Sequence, residues 1–419
     1  PAAPGPIPSP ERVEVLDALR GFALLGIFVA NLGYFTGWYF MRPEAKAAVP
    51  LAATNAAVEF LHHLLVAGKF YTVFSLLFGV GFALQLTRAE QRGDPAFLRV
   101  YVRRLAVLLG IGLVHLCLVW DGDILVLYAL CGFLLLLFRR STDRTLLAWA
   151  AALVLLPVLH TAARWLSGGA YDPGGTLNAV GDRLWAHFGY AGTSEVEVIG
   201  RGGWREFFHW VATGPFYRYG YLLVEGRPPK VLAVFLVGLW AGRRLMAGRL
   251  LDDTRLLRRV FYLGLAVGLP ANVALALLWA RGGEEAASPV GVYWALAYAS
   301  GVAPLGLAYA AGVALLWRRP GARRVLGWIA PAGRLALTNY LAQSVIGIAL
   351  FYGVGLGWMG RVGPLAWTGL ALVVFAAQTA LSAWWLHHFR YGPAEWLWRR
   401  LTYRRPLPLH GATSSTALP

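Results

Sequence analysis

The sequence predicts an all-α integral membrane protein, a polytopic bundle of about ten transmembrane helices with both termini in the cytoplasm. Three observations predict it. Nearly uncharged apolar runs recur from end to end of the 419 residues, each long enough, at roughly 20 residues, to cross a ~30 Å hydrocarbon core. The chain is 58% hydrophobic and only 14% charged, with a mean hydropathy of +0.55, where a soluble domain carries about 25% charged residues. The basic residues cluster at alternate ends of the apolar runs, which is the positive-inside pattern.

A Pro-rich N-terminus, 1–15, is expected to be disordered, followed by the bundle over 16–386 and a basic cytoplasmic tail over 387–419. The first run, 18–36, has no small-residue cleavage site after it and reads as a retained span. An amphipathic extracytoplasmic stretch at 52–67 precedes span two at 70–87, which ends in a segment rich in arginine. Spans three (105–120) and four (123–138) form a hairpin, and span five covers 145–166. A long extracytoplasmic loop, 167–228, carries aromatic pieces around Leu184–Phe188 and Trp204–Val211 that read as interfacial amphipathic helices. Spans six to ten follow at 229–245, 260–280, 291–317, 333–353 and 364–386.

The net charge of +17 is distributed as span flanks, which excludes specific nucleic-acid binding as the function and suits contact with anionic lipid head groups. Cys117 and Cys131 lie inside apolar runs, so neither a disulfide framework nor a metal-ligand cysteine spacing exists, and no metal cofactor is expected. No Walker loop, zincin helix, nucleophile elbow or dinucleotide fingerprint is present.

The informative residues are polar groups inside spans, which cost about 2.5–3.5 kcal/mol each when ionisable. On span one, Asp17 can pair with Arg20 one turn later. Arg20 and Asn31 fall about 20° apart on one face and roughly 16 Å apart along it. This set is either an anchor with an interhelical hydrogen bond, or a wall whose arginine meets an anionic ligand from the cytoplasm. The hairpin HLCLVWDGDILVLYA carries His115, Asp121 and Asp123. Its legs of about 16 residues span only ~24 Å, so the acidic turn sits below the outer surface, and carboxylates there need water or partners, which implies a polar cavity opening outward. An imidazole beside a recessed carboxylate suits general-base work, and a satisfied buried histidine is the bland alternative. On span nine, Arg334 and Thr338 form one i,i+4 stripe, and Asn339 and Gln343 the next, with Ser344 following. Amides so placed glue helices together or line the same cavity.

The segments LDALRGFALLGIFVANLGYF (16–35), KFYTVFSLLFGVGFAL (69–84), YVRRLAVLLGIGLVHLCLVWDGDILVLYALCGFLLLL (101–137) and AGRLALTNYLAQS (332–344) resemble the YeiB family of bacterial inner-membrane proteins, and the similarity extends over nearly the whole chain. That family resembles the wider transmembrane acyltransferase group, which includes heparan-α-glucosaminide acetyltransferase. In that enzyme the first span has a similar Asp, Arg-Gly and Asn pattern, matching Asp17, Arg20, Gly21 and Asn31. The resemblance implies a multi-pass protein of the bacterial inner membrane. It also implies transfer of an acyl or acetyl group from cytosolic acyl-CoA, the expected co-substrate, to an acceptor hydroxyl or amine across the membrane. One departure stands out. The enzyme's catalytic histidine has no counterpart between Thr36 and Pro43, where Arg42 falls near its place. Either His115 takes the role or the chemistry differs.

The leading expectation is acyl transfer. His115 is the base, oriented by Asp121 or Asp123, and Asn31, with Asn339, donates to the oxyanion. Arg20 and Arg334 face the donor phosphates, with Asp17, Asn339 and Gln343 completing the binding wall. A sugar or glycolipid acceptor, membrane lipids and a second copy of the chain are the candidate partners. A transporter or lipid-translocating protein lined by the same residues, and a non-catalytic membrane scaffold, are the alternatives.

Overall fold

The computed structural model describes residues 13–279 and 287–410, and apart from one isolated bridge between Phe389 and His410 their regular structure is helical. The helices are α1 (Glu14–Phe35), α2 (Pro43–Ala47), α3 (Ala52–Leu65), α4 (Lys69–Gln91), α5 (Phe97–Leu118) and α6 (Leu125–Leu135). Then come α7 (Asp143–Leu166), α8 (Pro173–His187), α9 (Glu195–Arg201), α10 (Trp204–Val224), α11 (Arg227–Met246) and α12 (Thr254–Trp279). The last five are α13 (Pro289–Trp317), α14 (Pro320–Arg334), α15 (Ala336–Phe351), α16 (Pro364–His388) and α17 (Pro393–Tyr403). Of the N-terminus expected to be disordered, residues 1–12 lie outside the described residues, and α1 begins at Glu14.

Among the described residues, seven segments are long and apolar enough to cross a membrane: α1, α3 with α4, α5, α7, α12, α13 and α16. The pair α14 and α15 qualifies only together and is bent by 77°, which makes eight if the pair is one span. The protein is thus an all-α polytopic membrane protein with seven or eight candidate spans. Two expected spans fall short of that standard for different reasons. The helix over 123–138 runs only from Leu125 to Phe138. Helix α11 has 20 residues but carries Arg227 and Lys230 at one end and Arg243 and Arg244 at the other.

Despite those charged ends, α11 lies at the centre. Val231 to Leu236 are all buried, and it packs along α4 with Gly238 against the backbone of Leu76 and Gly79 against that of Phe235. A side chain at either glycine would strike main-chain atoms, which is how helices in lipid gain close packing without a hydrophobic drive. The same device joins α1 to α14, where Gly21 meets the Ile329 carbonyl and Gly333 that of Asp17. At the periphery, α12 exposes Tyr262, Leu263, Val267 and Leu277, an apolar face suited to lipid.

The segment 167–228 is not a loop with short interfacial pieces. It folds as α8, α9 and the 21-residue α10, with α8 and α10 antiparallel through Gly174–Gly220 and Gly181–Tyr217. Its helicity is hidden from hydropathy because α10 carries aromatic and charged residues on all sides, so no apolar stripe stands out. The described part of the tail, up to residue 410, also carries a helix. Helix α17 folds back on the bundle, where Trp398 donates to the Arg104 carbonyl (2.9 Å) and Arg103 to that of Thr402 (3.1 Å).

Candidate functional site

The centre of the site is made where α5 stops. The amides of Val119 and Trp120 both donate to the His115 carbonyl, and Trp120 turns inward to stack on Phe35 at 4.3 Å. The chain then turns through Asp121-Gly122-Asp123 into α6. Asp123 Oδ1 accepts the Val126 amide (2.8 Å), which satisfies a free donor in the first turn of α6. Its other oxygen, Oδ2, lies 2.8 Å from His115 Nδ1. On the far side of the ring, Nε2 lies 2.9 Å from Ser344 Oγ on α15. All three side chains are buried.

An ionised carboxylate only accepts, so Asp123 holds the imidazole with its proton on Nδ1 and leaves Nε2 to accept the Ser344 hydroxyl. That hydroxyl has a second acceptor, the Tyr340 carbonyl at 3.5 Å, which is too long to compete. A buried carboxylate costs several kcal/mol unless its oxygens are engaged. Here both are, and Arg218 of α10 adds a hydrogen bond to the Asp123 carbonyl (3.0 Å). Serine, imidazole and carboxylate in this order form the relay that activates a nucleophile for acyl transfer on unrelated folds.

Around the relay, polar atoms are left over. Among the described residues, the Tyr340 hydroxyl and Gln343 Oε1 are buried without a hydrogen-bond partner, and the Tyr340 ring lies 5.3 Å from that of His115. Buried polar atoms are ordinarily paired, and these two lie within one helical turn of Ser344.

The expected residues separate into three groups. His115 and Asp123 come together, whereas Asp121 turns toward α10 and packs on Gly214, so Asp123 is the orienting acid. The acidic turn finds partners in α10 and α6, with Arg218 on the Asp123 carbonyl and the Val126 amide on Asp123 Oδ1. Asn339 and Gln343 face α16, Asn339 donating to Ser382 Oγ (2.9 Å) and Gln343 to Gln378 Oε1 (2.9 Å), an amide seam between helices. Asn31 is half-buried on α1, and among the described residues its side chain has no hydrogen-bond partner.

At the arginine-rich end, Asp17 and Arg20 pair at 2.6 Å as expected. Arg104 lies within electrostatic reach of both Arg20 and Arg399, and its guanidinium covers the Trp398 ring at 3.7 Å. Arg334 ends α14, and the chain breaks at Leu335, so Arg334 and Thr338 do not share one helical stripe. The break exposes the first amides of α15, and Glu395 of α17 covers them. Its Oε1 accepts from Leu337 N (2.7 Å) and Thr338 N (3.1 Å), its Oε2 from Thr338 Oγ1 (2.5 Å).

Sequence reasoning missed Ser344 as the third member of the relay, Arg218, Glu395, and a second buried cluster. In that cluster Glu225 accepts from Arg227 Nε (2.7 Å) and Lys230 Nζ (3.3 Å), while Lys230 lies over the Tyr298 ring at 3.5 Å and Arg227 over Tyr71 at 4.3 Å. Among the described residues, no three His, Cys, Asp or Glu side chains converge as a metal ion requires.

A family model described as a protein of unknown function (DUF418) matches residues 216–405. The uncharacterized protein YxaH of Bacillus subtilis (strain 168) is 32% identical over 408 residues, 94% of each chain. The uncharacterized protein YeiB of Escherichia coli (strain K12) is 28% identical over 429 residues, covering 96% of this chain and 100% of the relative. An uncharacterized 39.9 kDa protein in the amylase 3′ region of Bacillus acidopullulyticus is 29% identical over 413 residues, 96% and 97% of the two chains.

Proposed function

The chain belongs to the DUF418 family, and we propose that it is an acyltransferase embedded in the bacterial inner membrane. It moves an acyl group from cytosolic acyl-CoA to a hydroxyl or amine, of a sugar or glycolipid, on the extracytoplasmic side. The observation that carries this reading is His115 held between Asp123 and Ser344 inside the bundle. In this reading ten helical passes bring both termini to the cytoplasm: the seven apolar segments, the bent pair α14–α15, the short α6 and the charged-ended α11. Arg20, Arg103, Arg104 and Arg334 then face the cytosol, where guanidinium groups suit the phosphates of the donor. Asn31 and the Tyr340 hydroxyl are the donors for the developing oxyanion.

The test uses detergent-purified protein. Saturable binding of acetyl-CoA or a longer acyl-CoA, weakened at least tenfold by Arg20→Ala, and release of free CoA abolished by His115→Ala in a folded protein, are the expected results. Absence of binding to every acyl-CoA tried sinks the reading.

A further inference from the structure

We propose that Ser344 carries the acyl group as a covalent ester, so that transfer across the membrane occurs in two half-reactions. The inference rests on the acyl-transfer reading above and adds a modification site and an order of events to it.

Three observations carry it. Ser344 Oγ is the group that His115 Nε2 faces, at 2.9 Å, while Asp123 and Val126 hold the other side of the relay at 2.8 Å each. Among the described residues, Ser344 carries the hydroxyl within hydrogen-bond distance of that nitrogen. Second, Ser344 is near the middle of α15 (Ala336–Phe351), roughly 12 Å along the helix from its first residue and roughly 10 Å from its last. One end of α15 meets the arginine-rich face through Glu395 and the other meets the aromatic end, where Gly347 packs on Phe35. Third, the relay is enclosed, with Ser344 only 1% exposed. A donor from one side and an acceptor from the other cannot both reach such a point at once without a continuous opening through the bundle. A serine ester lets each side open in turn.

The steps balance. In the first, Ser344 Oγ attacks the thioester carbonyl carbon as its proton passes to His115 Nε2. The carbon–sulfur bond breaks, and the leaving thiolate takes that proton and departs as free CoA. In the second, the acceptor hydroxyl or amine gives its proton to His115 Nε2 and attacks the ester carbonyl. The bond from carbon to Oγ breaks and Oγ recovers the proton. Ser344 and His115 are the catalytic residues here, and Asp123 is a positioning residue.

The experiment incubates the purified full chain with acetyl-CoA and no acceptor, then reads free thiol and intact mass. The expected result is a burst of thiol stoichiometric with protein, and one added acetyl group mapped by peptide sequencing to Ser344. Ser344→Ala, which changes one atom and melts as the parent does, loses both adduct and burst. Its rate of thiol release falls by roughly 10³-fold or more. A thiol burst that persists in Ser344→Ala, or an adduct on His115, overturns the covalent inference and leaves the acyl-transfer reading standing. A parent protein that neither binds acyl-CoA nor releases CoA overturns the covalent inference and the acyl-transfer reading together.

Discussion

Replacing Asp123 with Asn separates a catalytic relay from a structural hydrogen-bond cluster, because the change keeps shape and removes one acceptor. In the parent, Oδ1 accepts the Val126 amide and Oδ2 faces His115 Nδ1, each at 2.8 Å. An Asn side chain has one oxygen for those two donors. If its oxygen stays on the Val126 amide, its NH₂ points at Nδ1, and the imidazole must move its proton to Nε2. The ring then presents a donor to Ser344 and can no longer accept its proton. If the oxygen faces Nδ1 instead, two N–H groups meet at the start of α6, and a buried backbone donor is lost at about 1–3 kcal/mol. A neutral imidazole changes tautomer at little cost, so the first arrangement wins. The expected stability loss is therefore small, about 1 kcal/mol, read as a shift of a few degrees in thermal melting in detergent. The expected loss of acyl transfer is about 10⁴-fold, or about 5 kcal/mol of barrier. Asp123→Ala inverts the pattern by leaving two buried donors bare, for about 2–6 kcal/mol. Transfer by Asp123→Asn within tenfold of the parent, at equal melting temperature, refutes the role given to the relay.

Two further outcomes follow from contacts outside the relay. Glu395→Ala uncovers the first amides of α15, which costs about 1–2 kcal/mol for a lost cap. Hydrogen exchange at Leu337 and Thr338 should therefore rise roughly tenfold, and unchanged exchange would show that the cap is not held. The second concerns Asp172, whose carboxylate takes Arg164 Nε and Nη2 at 3.0 Å each and the Gly175 amide at 3.0 Å. Burial pushes this carboxyl up, but Arg164 and the Gly175 amide outweigh it and hold it below the usual range. A group lowered in this way contributes fully above the ordinary value near 4 and loses its contribution as pH falls through the folded value. Proteolysis in the 167–203 segment should accordingly be slow at neutral pH and rise below about pH 4. In Asp172→Asn it should be fast throughout, and identical pH profiles would exclude the pair as the tie.

The part of the site legible in the sequence is the part whose members lie close together in it. His115 and Asp123 are eight residues apart on the two legs of a short hairpin, and each is an anomaly in an apolar run. Ser344 is 229 residues from His115, and a serine in an apolar helix carries no anomaly of its own, since such residues ordinarily bond the preceding turn. The same physics hides the rest. Arg218 and Glu225 sit in a stretch with charged and aromatic residues on every side, so no periodicity marks it as helical, and a buried Glu225 reads as a loop acid until α11 brings Arg227 and Lys230 to it. The break at Leu335 follows Pro331 by four residues and is completed by a carboxylate from α17, beyond the reach of local propensity. In lipid, a polar side chain inside the bundle is legible as a cost, because every such group must be satisfied or used. Which of those two it is depends on partners that only folding supplies. Asn339 and the Gln343 amide nitrogen bond across to α16 and hold helices together, whereas Ser344, one residue after Gln343, turns to an imidazole that a carboxylate has already oriented.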